Sequence, residues 1–203
     1  MKTSDLIVKI LEKKWVKTIY WVPGEENLDL LDSLSKSSIE LILTRNEQTA
    51  VFMAATYGRY TGQAWVAIAT LWPGATNMMT WVAYAQLWGM PVIVITGQKP
   101  QNQSKQWAFQ IIDVVSMMKP VTKYATSIVN WARVPYILEN AFKIAESEKP
   151  WAVCLELPED IAGDEVSEEF AIVDLQTKKQ RRPVIDKKGV CLLIQEITSA
   201  KSP

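Results

Sequence analysis

The sequence contains no histidine, so it lacks the usual zinc ligand and the side chain that most often acts as a base near neutral pH. It has only two cysteines, Cys154 and Cys191, which lie in separate apolar stretches. We expect a buried free thiol at each of these positions rather than a disulfide or a metal-binding pair.

Neither an excess of charge nor a long apolar run is present. Lys and Arg together number 22, as do Asp and Glu, so no nucleic-acid or acidic-lipid partner is predicted. A basic run at 178–183 could be a nucleic-acid tail, but acidic residues precede it and a linker is favoured. No apolar run approaches the roughly 18–20 residues that span a membrane, and no signal peptide is recognisable. We therefore expect a cytoplasmic protein.

Glycine is scarce and tryptophan is abundant. The chain has eight glycines and nine tryptophans, whereas glycine ordinarily makes up about 7% of residues. The tryptophans are Trp15, Trp21, Trp65, Trp72, Trp81, Trp88, Trp107, Trp131 and Trp151.

Hydrophobic residues make up 48% of the chain, and they fall into alternating short runs and amphipathic segments. The runs predict strands at 18–22, 39–43, 64–69, 91–96, 121–125 and 152–157, with helices between them, among them 47–60, 77–87 and 109–118. This alternation predicts an α/β fold, a three-layer sandwich whose sheet has about six mostly parallel strands and helices on both faces.

The composition changes after residue 158, where charged residues replace the apolar runs. We predict a domain at 1–158, a linker at 159–185 and, at 186–203, the start of a truncated second domain.

Two predicted strands are followed by residues suited to a ligand site. Glu47 comes soon after the second strand, and residues 73–77 follow the third. Loops at the carboxyl ends of neighbouring strands form the ligand crevice of an open α/β sheet, so these residues can face one small molecule. The alternatives are a first-turn acid interacting with its helix dipole, and an ordinary strand-to-helix turn with Asn77 as the N-cap.

Five short motifs point to a family: VPGEE at 22–26, TRNEQ at 44–48, PGATN at 73–77, ITGQKP at 95–100 and FQIIDVV at 109–115. Together they resemble the N-terminal pyrimidine-binding domain of thiamine-diphosphate enzymes, and within that family the acetolactate synthase large subunit. The resemblance covers essentially all of residues 1–203, the last segment being similar to the start of the family's central domain.

The resemblance implies an enzyme that uses thiamine diphosphate to decarboxylate pyruvate and join the remainder to a second 2-keto acid, in branched-chain amino acid or acetoin metabolism. It implies Mg²⁺ held by a C-terminal domain, FAD often held by the central domain, and a homodimer or homotetramer with active sites between subunits. The 203-residue chain alone is therefore expected to be inactive.

The resemblance also assigns roles to individual residues. It makes Glu47 and Gln110 catalytic and provides no metal ligand in this chain. The residues implied to bind the cofactor are Pro23, Gly24, Glu47, Pro73, Gly74 and Asn77. Phe109 and Gln110 are implied to face the substrate from a neighbouring subunit; a core aromatic beside a surface amide is the alternative.

Several positions depart from the family or have no assigned role. Asn46 replaces the histidine that usually precedes the glutamate. Lys99 and Lys105 are either solvated or form a cationic loop near a keto-acid channel.

The tryptophans stand where the family has or accepts glycine. We interpret them as UGA codons that the source organism reads as glycine, because an indole at Trp72 would prevent a positive φ and a close approach to the cofactor. If the tryptophans are genuine, we expect a poorly folded protein with an obstructed cofactor site. The rival functions are another thiamine-diphosphate 2-keto-acid decarboxylase or carboligase, and a non-catalytic α/β module.

Overall fold

The sheet contains six strands, all parallel. The computed structural model describes residues 1–101, 109–167 and 185–201. The strands are β1 (Thr18–Trp21), β2 (Glu40–Leu43), β3 (Trp65–Ala69), β4 (Val92–Gln98), β5 (Tyr124–Ser127) and β6 (Ala152–Pro158). Their order in the sheet is β2-β1-β3-β4-β6-β5, and every neighbouring pair is parallel. The predicted fold class is confirmed.

Helices cover both faces of this sheet. They are α1 (Thr3–Lys13), α2 (Leu28–Ser35), α3 (Glu47–Thr61), α4 (Trp72–Trp88), α5 (Val114–Met118), α6 (Val134–Glu146) and α7 (Glu159–Gly163). A further helix, α8 (Lys187–Ser199), has no buried residue. One buried apolar cluster joins the sheet to α1, α2, α6 and α7, and a second joins it to α3, α4 and α5.

Strand β3 is apolar throughout and is buried on both faces. In β3, Val66 and Ile68 belong to the first cluster, whereas Ala67 and Ala69 belong to the second. Successive side chains of a strand point to opposite faces, so a strand between two helical layers has no solvent-facing side. None of the helices within the described ranges is long and apolar enough to cross a membrane.

Helix α4 begins earlier than predicted. The sequence predicts a loop through residues 73–77, but the helix starts at Trp72 and continues to Trp88. Pro73 is compatible with this start because the first turn of a helix leaves its N–H groups without intrahelical partners. The expectation that Asn77 is the N-cap is therefore wrong, since it lies in the second turn.

Two other predicted elements differ from the structure. The predicted helix at 109–118 is reduced to α5, because Gln110 has a φ of 62° and the Asp113 side chain caps the helix by accepting from Ser116 N at 2.8 Å. The predicted fifth strand lies three residues later, at Tyr124–Ser127, after a short 3₁₀ turn at Lys119–Val121 that contains a proline.

The described part of the predicted linker packs on the domain. After α7, Val166 is 3% exposed and donates its backbone N–H to the Met1 carbonyl at 2.7 Å. Residues 168–184, with their basic run, lie outside the described residues. Helix α8 exposes apolar side chains such as Leu192 and Leu193. It also exposes Cys191, so the prediction that this thiol is buried is wrong. The boundary at 158 and the assignment of 186–203 stay predictions.

The tryptophans differ from one another in backbone conformation and in burial. Trp15 has a φ of 64°, a left-handed conformation that favours glycine, and its side chain is 70% exposed. Trp21 is buried, and its indole N–H has no hydrogen-bond partner within the described ranges. Trp72, however, is helical and 43% exposed, so the positive φ expected there is wrong. Trp107 lies outside the described residues, and glycine at these positions stays a prediction.

Candidate functional site

Glu47 is placed by the turn that follows β2. The Thr44 N–H donates to the Trp21 carbonyl at 2.9 Å, which extends the pairing with β1 beyond the strand. Asn46 then caps α3, its side-chain oxygen accepting from Gln48 N at 2.7 Å. Asparagine is among the best N-cap residues, so the departure from histidine at this position has a local structural role. Glu47 is the first residue of α3 and is half-buried.

Asn77 holds one oxygen of the Glu47 carboxylate. The Asn77 amide donates to Glu47 Oε2 at 3.0 Å. Within residues 1–101, 109–167 and 185–201, no group donates a hydrogen bond to the second oxygen, Oε1. The carboxylate is therefore oriented through one oxygen, while the other can share a proton with a ligand.

Gly24 and Gly74 both lie against Thr70, and Gly74 also lies beside this carboxylate. A Cβ on Gly24 would lie 2.0 Å from Thr70 Cγ2, and a Cβ on Gly74 would lie 3.0 Å from Thr70 Oγ1 and 3.5 Å from Glu47 Oε1. Gly24 has no room for a Cβ unless Thr70 moves, and a Cβ on Gly74 would require its neighbours to shift by a few tenths of an ångström. Backbone therefore forms this wall of the site. Pro23, next to Gly24, is exposed. Glu47, Gly74 and Asn77 thus lie together, and Gly24 is linked to them through Thr70; the cofactor-binding role of these residues stays a prediction.

Thr70 was not predicted, although it lies just before the motif at 73–77. Asn27 was missed as a residue that holds the site. Its amide donates to the Ala69 carbonyl at 3.3 Å, and its backbone N–H donates to the Gly24 carbonyl at 3.1 Å. These bonds fix the turn after β1 to the carboxyl end of β3. Both residues follow strand ends, which is the only signal the sequence offered.

Lys99 is ion-paired. Its ammonium lies 2.9 Å from Glu26 Oε1, and Glu26 is only 7% exposed. The hydrogen bond to Glu26 raises the pKa of Lys99 above its ordinary value. The pair joins the end of β4 to the turn after β1, so the interpretation of Lys99 as a solvated side chain is wrong. Lys105 lies outside the described residues.

The structure does not bring Phe109 and Gln110 into contact with Glu47. Phe109 is 79% exposed, and Gln110 follows it with a left-handed backbone. No contact between this pair and Glu47 is found among the described residues. Phe109 is not a core aromatic, so that alternative is wrong.

A cavity of about 500 Å³ opens at the carboxyl ends of β4 and β6, and the sequence did not predict it. Its polar lining includes Gln98, Lys99, Asp113, Ser127 and Glu156. Cys154 lies two residues before Glu156 on β6, where burial, together with the charge of Glu156, raises the pKa of the thiol to about 12. This thiol stays protonated and is not a nucleophile.

The parts of the chain that the structure describes contain no group of three or more His, Cys, Asp or Glu residues that could hold a metal ion.

The comparisons with known proteins first define the class. The model of the family described as "Thiamine pyrophosphate enzyme, N-terminal TPP binding domain" matches residues 1–117, more than half of the chain. The chain belongs to this family.

The similar proteins then narrow the class. A catabolic acetolactate synthase of Raoultella terrigena is 38% identical over 164 residues, which cover 81% of this chain and 29% of that protein. A probable acetolactate synthase large subunit of Methanocaldococcus jannaschii is 36% identical over 202 residues, covering 96% of this chain and 34% of that protein. The acetolactate synthase isozyme 1 large subunit of Escherichia coli is 32% identical over 206 residues, covering 98% of this chain and 35% of that protein. The chain thus spans about a third of the length of these curated relatives.

Proposed function

We propose that this chain is the pyrimidine-binding domain of an acetolactate synthase-like enzyme that depends on thiamine diphosphate. The observation that carries the proposal is the Glu47 carboxylate, held by Asn77 through one oxygen and unpartnered at the other among the described residues, beside a wall made by Gly24 and Gly74. When bound, thiamine diphosphate supplies the carbanion chemistry that amino-acid side chains cannot.

The site fits an aminopyrimidine ring. Glu47 Oε1 would share a proton with a ring nitrogen, and Asn77 would keep the carboxylate in the orientation this requires. Gly24 and Gly74 would let a flat ring approach the backbone, since neither presents a Cβ. Pro23 and Pro73 would form the rest of this wall. Phe109 and Gln110 would face the substrate of a neighbouring subunit.

The relatives' names suggest the reaction. We propose decarboxylation of pyruvate and addition of the remainder to a second 2-keto acid, in the cytoplasm, for branched-chain amino acid or acetoin metabolism. Other domains would hold Mg²⁺ and, as often in this family, FAD. The active form would be a homodimer or homotetramer, and the 203-residue chain alone would not turn over.

The test is acetolactate formation from pyruvate by the complete enzyme that contains this chain, with thiamine diphosphate and Mg²⁺ present. Glu47→Gln should lower kcat by roughly 10²–10⁴-fold, the range typical of removing a proton-transfer group. The matched control is Glu40→Gln, which changes an exposed carboxylate at the opposite end of β2 and should leave the rate unchanged. A Glu47→Gln enzyme with the wild-type rate would refute the assigned role.

The same assay separates the alternatives. An aldehyde or a different ligation product from pyruvate would indicate another 2-keto-acid decarboxylase or carboligase. No turnover and no thiamine diphosphate binding by the complete protein would favour the non-catalytic module.

A further inference from the structure

Gln98 and Glu156 form a buried polar pair on neighbouring strands. Gln98, the last residue of β4, is 6% exposed, and Glu156 on β6 is 8% exposed. The Gln98 amide donates to Glu156 Oε1 at 2.9 Å. Burying a carboxylate and an amide is unfavourable unless both are hydrogen-bonded. An apolar pair would fill the same space without this cost, so we expect these two side chains to hold something else in place.

The pair is connected to the segment that follows β4. Gln98 Nε2 also donates to the Ile112 carbonyl at 3.2 Å, while Gln98 Oε1 accepts from the Lys99 N–H at 3.1 Å. Both polar atoms of the amide are therefore engaged, which fixes its orientation. Ile112 is thus tied to the sheet through Gln98, and Gln98 is held in turn by Glu156.

This connection lies two residues from a strained backbone position. Gln110 has a φ of 62°, a backbone conformation that residues other than glycine rarely adopt. Such conformations persist when the surroundings over-determine them, and they concentrate at functional sites. Asp113, the residue after Ile112, caps α5. Gln110 is therefore followed within three residues by two fixed positions, Ile112 and Asp113.

We propose that Glu156 and Gln98 are positioning residues that hold segment 109–113 against the sheet and so orient Gln110 for the substrate. This inference rests on the proposed function, which gives Phe109 and Gln110 their role. Glu156 touches no substrate in this scheme; it acts through the Gln98 amide.

Hydrogen exchange in the full 203-residue chain tests the anchoring without any turnover. Glu156→Met and Gln98→Met remove the acceptor and the donor. The amides of Val114, Ser116 and Met117 donate to residues 112 and 113, and they should exchange roughly tenfold faster, the effect of losing a hydrogen bond to a charged group. Glu156→Gln keeps an acceptor oxygen and should remain near wild type. The matched control is Glu139→Gln, which removes a partly buried carboxylate of α6 that pairs with Lys14 and, among the described residues, makes no hydrogen bond to residues 109–113.

Unchanged exchange in Glu156→Met or Gln98→Met overturns the proposal. If Glu156→Met does not fold, Gln98→Met alone decides. An equal acceleration in Glu139→Gln would also overturn it, because the effect would then reflect general destabilisation.

Kinetics of the complete enzyme test the positioning itself. Glu156→Met should lower kcat by about 100-fold, the cost of misplacing a reacting group by about 1 Å, with thiamine diphosphate affinity unchanged. Glu156→Gln should restore most of the rate. A purely structural role would lower the melting temperature but leave kcat intact, and that result would overturn the proposal. If the wild type forms no acetolactate, the proposed function fails, while the exchange data still decide the anchoring.

Discussion

The contact between Gly24 and Thr70 leads to a prediction that can be worked out from the structure. A Cβ added at Gly24 would lie 2.0 Å from Thr70 Cγ2, whereas carbon atoms in contact are about 3.5–4.0 Å apart. The turn would have to move by roughly 1.5–2 Å, and overpacking of this kind typically costs about 1–3 kcal/mol. We therefore expect Gly24→Ala to destabilise the chain by about 2 kcal/mol.

Removing the Thr70 methyl group should relieve this clash. In Thr70→Ser the nearest remaining atoms are Cβ at 3.1 Å and Oγ at 3.6 Å from the added carbon. The single Thr70→Ser change should cost about 1 kcal/mol for one buried methyl group. The free energy of unfolding lost in the double variant should then be smaller, by about 1–2 kcal/mol, than the sum of the losses in the two single variants. This difference is within the range measured for residues in contact.

Urea unfolding followed by far-UV circular dichroism measures the stability of the wild type, of both single variants and of the double variant. Gly62→Ala provides the control, because Gly62 has a φ of 73° with no atom within 4 Å of the added carbon. It should cost about 1–2 kcal/mol through backbone strain alone. Its combination with Thr70→Ser should be additive within about 0.5 kcal/mol. If the Gly24 and Thr70 changes are also additive, Thr70 does not fill the space beside Gly24 and the described wall of the site is wrong.

Three further predictions concern side chains whose state the structure sets. In the native chain, a thiol reagent such as Ellman's should modify Cys191 but not the buried Cys154, and both should react after unfolding; modification of both at once in the native state would contradict the burial. Lys99→Met should lower stability at neutral pH, because the folded state favours the charged ammonium beside Glu26; the difference from wild type should fade as the pH rises above the ordinary lysine value of 10.5, and a constant difference in pH-dependent urea unfolding would refute the pairing. In protein from the native source, the tryptic peptide that begins at Tyr60 should have the mass expected for glycine at its tryptophan positions; a mass that matches tryptophan would refute the recoding hypothesis.

The fold class was accessible to sequence reasoning because it depends on patterns that short segments carry. Strand β3 reads as a continuous apolar run, which is what burial between two helical layers requires. The motifs at 44–48 and 73–77 placed Glu47 and Asn77 after the second and third predicted strands. These two strands are not neighbours, because β1 lies between them in the sheet. The two side chains meet nevertheless, since all strands are parallel and both residues lie at the carboxyl end of the sheet.

Element boundaries were less accessible where local signals compete. Pro73 and Gly74 are typical of a turn, yet they form the first turn of α4, where packing against Ala69 and Thr70 decides the start. Apolar residues at 111 and 112 suggested a helix that Gln110 and Asp113 interrupt.

By itself, then, the sequence determined the layered parallel sheet and the family, because periodicity and short motifs are local properties. Only the tertiary structure decided which atoms of these residues meet. Gly24 lies against Thr70, 46 positions away along the chain, and Glu26 pairs with Lys99, 73 positions away. Gln98 bonds Glu156, 58 positions away, and Ile112, 14 positions away. Contacts of this kind depend on how strand ends line up across the sheet, and no local pattern along the chain encodes that alignment.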